Sequence, residues 1–293
     1  MKHFLLLLAI ASVMASCSQD TLDVEELNET EVFTGQMMDG FSRTCLDDNN
    51  NVNWESDDEI SIFLKTGYHH EYKVKEGVGT NSAKFQYVSK VAEGCPKFDN
   101  HYAIYPFSGS YQISEDKQVT VDFSSWATQT YQEGTFESGK SVMTGKSSNT
   151  NFPFKNANAL VRVELSSVVP GSYSISSITL SSSEALNGTG VIDLSADEPI
   201  VTFTGTEDVY KSNTLLITEP VMLEDEPVYF YILVPAKTYS DFTISIKGMN
   251  EMEGTPLSWT KTINNVICLR SKITYLPKVF EAVDFSGTLE GTN

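Results

Sequence analysis

Three groups of residues in this 293-residue chain have types and spacings that could carry chemistry. The first is Gly134-Thr-Phe-Glu-Ser-Gly139-Lys140-Ser141, which matches the pattern G-x-x-x-x-G-K-[ST]. In a phosphate-binding loop the backbone N–H groups cradle the phosphates, the lysine reaches the γ-phosphate and the hydroxyl holds Mg²⁺. That chemistry needs a buried parallel strand before the loop and a helix after it. The preceding WATQTYQE is not such a strand, and VMTGKSSNTNF carries Gly145 and a Ser/Asn/Thr run where the helix must begin. The segment therefore reads as a loop between strands. The second group lies in DDNNNVNWESDD, where Asp47, Asn49, Asn51, Asn53 and Asp58 fall at offsets 1, 3, 5, 7 and 12 of an EF-hand-like loop. Val52 stands where the sharp turn needs Gly, and the flanks lack helical periodicity, so a solvated acidic loop is expected. The third group is His69 and His70, adjacent in GYHHEY. Neighbours on a strand point to opposite faces and do not chelate together. His101 stands alone, and no G-x-S-x-G, H-E-x-x-H or C-x-x-C occurs. No pair of carboxylates stands out for glycoside hydrolysis. The expectation is a protein without a metal, a cofactor or an enzymatic activity.

One residue near the N-terminus does have a clear chemical role. Lys2 and His3 precede an apolar run from Phe4 to Ala15, with Ser12 its only polar member. This run is too short to cross a bilayer core, which needs about 20 residues, and reads as a secretory signal. Met14-Ala15-Ser16-Cys17 resembles a bacterial lipobox, which implies cleavage between Ser16 and Cys17 and acylation of the Cys17 thiol. Several acyl chains on one terminus anchor a protein stably in a membrane, here the outer membrane. The acidic residues after Cys17 resemble surface-export signals of Bacteroidota lipoproteins, and Asp20-Thr21-Leu22 resembles that phylum's O-glycosylation site at Thr21. A merely solvated acidic tether is the alternative reading.

The charge balance excludes some partners. Twenty Lys and Arg against 39 Asp and Glu give a net charge of −19, or −20 once Lys2 leaves with the signal. Nucleic acid is excluded, because neutralising phosphates takes clustered cations. After Cys17, the remaining cysteines are Cys45, Cys95 and Cys268. Cys45 and Cys95 are the only pair inside one expected domain, and a disulfide between them and three free thiols remain alternatives.

The elements that must position all these residues read as strands. Ile60, Ile62 and Leu64 alternate, as do Val119, Val121 and Phe123, Ala159 to Leu165, Val228 to Val234, and Phe242 to Ile246. Period two in β-branched and aromatic residues means strands. Pro106 and Pro235 should end strands or sit on edges, and VYFYILV should be central because both its faces are apolar. The expected class is all-β, with two antiparallel β-sandwich domains of Greek-key type. Residues 1–16 form the signal, 17–41 the tether and first-strand region, 42–148 the first sandwich and 149–293 the second. The division follows the linker-like GKSSNTN at 145–151.

The order of motifs carries a family resemblance. WESDDEISIF (54–63), HYAIYPFSG (101–109), GTFESG near 134, FPFKNANALVRVEL (152–165), ISSITLSSSEALNGTG (175–190) and YFYILVPA (229–236) resemble, in this order, the Bacteroidota fimbrillin-like proteins. The resemblance runs from about Trp54 to Leu276. Asp57-Asp58 replaces the family's Gly-Asp, and the chain is shorter than its stalk pilins. The resemblance implies two sandwiches of transthyretin-like topology and a structural subunit or adhesin of a type V pilus. It further implies a protease cut between Arg43 and Thr44, loss of the lipidated segment with the first strand, and filling of the groove by a strand of another pilin subunit. Arg43 is the single basic residue between Cys17 and Asn53. Val279, Val283, Phe285 and Leu289, on one face at period two, are the donor candidates. The alternatives are an exposed loop arginine and a C-terminal strand that belongs to its own sandwich. A host or bacterial surface receptor is a further expected partner. A surface glycan-binding lipoprotein is the second functional reading, and exposed Trp and Tyr platforms would mark it.

Overall fold

The computed structural model describes residues 32–38, 53–203, 205 and 207–276. From the N-terminus come β1 (Phe33–Met37), β2 (Glu59–Leu64), β3 (Tyr68–Glu76), β4 (Ser82–Glu93) and β5 (His101–Tyr105). Next are β6 (Gln118–Asp122), β7 (Thr128–Thr130), β8 (Met143–Ser147), β9 (Asn151–Asn156) and β10 (Asn158–Leu165). Then follow β11 (Tyr173–Ser181), β12 (Thr189–Asp193), β13 (Val201–Phe203) and β14 (Ser212–Met222). The last are β15 (Val228–Pro235), β16 (Lys237–Asn250), β17 (Thr255–Cys268) and β18 (Ile273–Tyr275). Two one-turn 3-10 helices, Ser124–Ala127 and Asp208–Tyr210, are the remaining regular elements of the described residues. The all-β class read from the sequence is what the chain adopts.

The strands make two layered regions. In the first, β1-β4-β3-β2-β5-β8-β9 close into a barrel, with the sheet β13-β12-β6 beside it. In the second, β17-β16-β11-β14-β7 faces the sheet β15-β10-β18. That last sheet lies between two cores. Leu160, Tyr231 and Leu233 belong to the barrel-side core, whereas Ala159, Val161, Val163, Phe230, Ile232 and Val234 belong to the other. Burial on both faces explains the continuous apolar run of β15 and the buried Ala159–Val161 of β10, whose polar Arg162 and Glu164 lie at its less buried end. The outer edge of β15 is satisfied by a side chain in place of a strand. The fully buried Gln129 of β7 accepts the Leu233 N–H at 2.8 Å and donates to the Leu233 carbonyl at 3.1 Å. Asn213 donates to the same carbonyl at 3.0 Å. Each such bond spares a buried backbone group a desolvation cost of about 1–3 kcal/mol.

Three details differ from the antiparallel sandwiches that alternation suggests. The first unit is a closed barrel, because β1 fills the gap between β4 and β9. The pairs β1–β9, β10–β18 and β7–β14 are parallel, each adding a short strand from a distant part of the chain. Residues 145–151 are not a linker but the tip of the β8–β9 hairpin. Their polar residues do turn chemistry: the Asn149 N–H donates to Ser147 Oγ at 3.2 Å, and the Asn151 N–H donates to Asn149 Oδ1 at 2.8 Å. The division at 148/149 thus falls within the barrel, and β7 from the first segment joins the second region's sheet.

Candidate functional site

The feature with the most unusual construction is the slot that holds β1. Five residues close the barrel, antiparallel to β4 on one side and parallel to β9 on the other. The Thr34 N–H donates to the Thr150 carbonyl at 2.8 Å and the Met38 N–H to the Phe154 carbonyl at 3.0 Å, on the β9 side. On the β4 side the Met37 N–H donates to the Asn81 carbonyl at 2.9 Å. Phe33, Gly35 and Met37 turn inward, while Thr34 and Gln36 turn outward.

The slot is lined by aromatic rings. The fully buried Phe33 meets Tyr72 edge-on at 5.0 Å between ring centres, and His101 and Phe152 each at 5.5 Å. Burying such a side chain contributes about 2–3 kcal/mol. At Gly35 the rings of Phe85 and Phe154 close over the backbone. A Cβ there would meet each of them at 2.8 Å, so the slot accepts no side chain at that point. Trp54 packs edge-on against both rings from within the core. The steric demand of the slot is therefore large, none, medium at alternate positions. Period-two reading passed over FTGQM, since five residues with a central Gly offer too few alternations. The signal that was present is the apolar–Gly–apolar face just upstream of Arg43.

The three chemical groups fall elsewhere. Residues 134–141 form a loop between β7 and β8 with no helix after it. Lys140 Nζ donates to the carbonyls of Ser125 at 2.7 Å and Thr128 at 3.0 Å, and pairs with Glu137 at 3.5 Å. Ser141 Oγ is buried within 3.1 Å of Asn156 Oδ1 and 3.0 Å of Asn158 Oδ1. Both side chains thus hold the loop rather than face an open cradle. Asp58 is buried, accepting the Glu55 N–H at 2.7 Å and the Tyr105 hydroxyl at 3.0 Å. Asn53 is the other member of the acidic pattern within the described residues, while Asp47, Asn49 and Asn51 lie outside them.

His69 and His70 are both buried, in β3, against different rings. His69 lies on Phe63, and His70 lies among Tyr68, Tyr72 and Tyr87. A register shift between the two allows both to be enclosed. Their ring nitrogens make no hydrogen bonds within the described residues. Burial, reinforced by His70, lowers the His69 pKa to about 4. Burial, then Lys90, lowers that of His70. His101 is likewise lowered to about 4 by burial and by Lys65. Among the described residues no group of three His, Cys, Asp or Glu could hold a metal ion.

Trp54 and Trp126, two of the three tryptophans, are fully buried and cannot serve as sugar platforms. Cys95 and Cys268 are free thiols, and burial raises the Cys268 pKa to about 11. Ser16, Cys17, Thr21, Arg43, Thr44, Cys45, Val279, Val283, Phe285 and Leu289 lie outside the described residues.

With this geometry in hand, comparison with known proteins is informative at the level of fold. Neither a family model nor a curated sequence matches the chain. A cell adhesion candidate from Bacteroides ovatus ATCC 8483 superposes with a TM-score of 0.50 at 11% identity, over 82% of this chain and 88% of that one. The two chains share a fold. A second cell adhesion candidate, from Bacteroides fragilis NCTC 9343, gives 0.44 at 10% identity, over 83% and 89%. A fimbrial protein from Bacteroides vulgatus ATCC 8482 gives 0.33 at 12%, over 74% and 88%. Those two scores are too low to bear on the argument.

Proposed function

We propose that this protein is a fimbrillin-like subunit of a cell-surface type V pilus. In this reading it is exported as a lipoprotein acylated at Cys17 and assembles with other pilin subunits by strand exchange after a cut at Arg43. The observation that carries the reading is β1. It is a short strand with a neighbour on each side, its core-facing side chains sealed among rings, and it lies on the N-terminal side of Arg43. A cut between Arg43 and Thr44 leaves β1 attached to the main body by hydrogen bonds and packing alone. Its departure uncovers the facing backbone groups of β4 and β9, and unpaired strand edges recruit another strand. The fold shared with the Bacteroides ovatus cell adhesion candidate supports the same reading.

The test is brief trypsin treatment of the folded precursor, sequencing of the new N-terminus, and electrophoresis without boiling. The expected product begins at Thr44 and forms a ladder. A precursor that resists cutting at Arg43, or a cut form that stays monomeric, removes the polymerising role.

A further inference from the structure

Trp54 and Trp126 are buried, but tyrosines form a strip that reaches the surface on another element. On the barrel-facing side of β15-β10-β18, Leu233, Leu160 and Ile273 form one row across the three strands. The next row is Tyr231, Arg162 and Tyr275, and the one after it is Tyr229 with Glu164. Alternation along each strand puts all of these on one face. Leu160 and Leu233 are fully buried, and exposure rises from there along the sheet. The side chains of Arg162 and Glu164 keep 20% and 21% of their surface, and Tyr275 keeps 57%.

The Arg162 guanidinium lies 4.3 Å from the centre of the Tyr229 ring and 4.2 Å from that of Tyr275. The two rings come from the strands on either side of β10, so they hold the guanidinium between them. Hydrogen bonds contribute little to this arrangement. Arg162 Nε is buried without a partner, and Nη2 stands 3.7 Å from the Glu164 carboxylate, too far for a hydrogen bond. Among the described residues the Tyr229 and Tyr275 hydroxyls make no hydrogen bonds either. A cation held in this way costs the fold stability, since an apolar side chain between the rings would pack without desolvating a charge.

The same groups suit a ligand. Flat rings match the C–H face of a pyranose. The guanidinium donates, the carboxylate accepts and the phenols do both, which is what a set of sugar hydroxyls requires. The charges of Arg162 and Glu164 cancel, and the chain's net charge of −19 disfavours an acidic sugar. The strip consists of four side chains, whereas a stable protein interface takes roughly 20–30 residues a side.

We propose that Tyr229, Arg162, Tyr275 and Glu164 form a binding site for a pyranose unit of a neutral glycan. Tyr275, with one face of its ring on Arg162, supplies the exposed stacking platform. Arg162 is held flat by the rings and donates to hydroxyls, and Glu164 accepts from them. This assignment does not rest on strand exchange, since β10, β15 and β18 all lie far in the chain from Arg43.

The test presents the uncut full chain to an array of immobilised neutral and acidic oligosaccharides. Neutral glycans should bind and acidic ones should not. Tyr275→Ala should weaken binding about tenfold, and Tyr275→Phe much less, because the ring is kept. Glu164→Gln keeps the shape of the side chain and removes the charged acceptor, so it should also weaken binding. It decides the matter if the melting temperature shows that Tyr275→Ala loosens the fold. No binding to neutral glycans, a preference for acidic ones, or neutral binding that neither Tyr275→Ala nor Glu164→Gln alters would overturn the assignment. A dimer of the uncut chain that Tyr275→Ala dissociates would make the strip a protein contact and overturn it as well.

Discussion

β1 and β10 have the same kinds of neighbour and opposite mechanical situations. Each lies between one antiparallel and one parallel partner: β4 and β9 for β1, β15 and β18 for β10. β10 spans eight residues and sends side chains into both cores. β1 spans five residues, faces one core, and has no side chain at its centre. Pairing type therefore does not decide how readily a strand opens. Length, the number of buried faces and the covalent path do. The free energy of opening a segment follows the apolar area and backbone bonds it must expose, and β1 exposes far fewer of both.

The surrounding cores differ in the same sense. The barrel-side core is rich in rings, Phe33, Trp54, Phe85, Phe152 and Phe154 among them, and the second is mostly aliphatic. Flat rings can lie over a bare backbone, which is how Gly35 is accommodated. β1 is thus held by fit of shape as well as by hydrogen bonding.

The largest effect should come from β10. Leu160→Ala removes a fully buried side chain from the sheet between the cores and should cost about 3 kcal/mol. Urea unfolding should show both regions losing stability together. If the barrel alone weakened, β10 would not couple the two regions.

Gly35→Val should cost less, about 2 kcal/mol, as overpacking between Phe85 and Phe154. The loss should be local. Amide exchange at Thr34, Met37 and Met38 should accelerate, with the amides of β10 unchanged. Equal acceleration in β10 would break the contrast between the two strands.

Acid offers a smaller, graded test that separates the regions. His69, His70 and His101 all belong to the barrel, and besides these the chain has only His3. Their folded pKa values lie below the ordinary 6.5, with His69 and His101 at about 4. The unfolded chain therefore binds more protons in that interval. Stability from the neutral rings is complete above pH 6.5 and is lost as pH falls toward 4. Between pH 6.5 and 5, the urea midpoint of the barrel should fall and β1 amides should lose protection relative to their intrinsic exchange rates at each pH, while the second region changes little. His101→Phe, which keeps a ring against Phe33, should blunt the effect on β1. An unaltered pH response in that variant would show that His101 does not link acid to β1.

The smallest effect is expected at Glu76. Its carboxylate meets Lys84, opposite Thr34, at 2.7 Å, but the pair is solvent-exposed. Glu76→Gln should leave the unfolding midpoint unchanged, since exposed ion pairs contribute little. A measurable loss of β1 protection would mean that surface charge helps to hold the strand.

The sequence itself determined where the strong strands lie. Ile60 to Leu64, Ala159 to Leu165, Val228 to Val234 and Phe242 to Ile246 alternate because each segment's burial is written in its own side chains, and all are strands. It also determined that 134–141 is a loop, since nothing after Ser141 can start a helix, but VYFYILV, expected to be central because both its faces are apolar, is the edge strand of β15-β10-β18, buried on both faces and covered at Leu233 by the side chains of Gln129 and Asn213. Only the tertiary structure decided the rest. It closed the barrel through β1, turned 145–151 into a hairpin, enclosed both His69 and His70, and buried Trp54 and Trp126. The physical reason is the same in each case. Closure depends on pairing between segments far apart in the chain, such as Phe33 with Phe85 and Thr34 with Asn151, and local periodicity carries no information about which distant edge a short strand will meet.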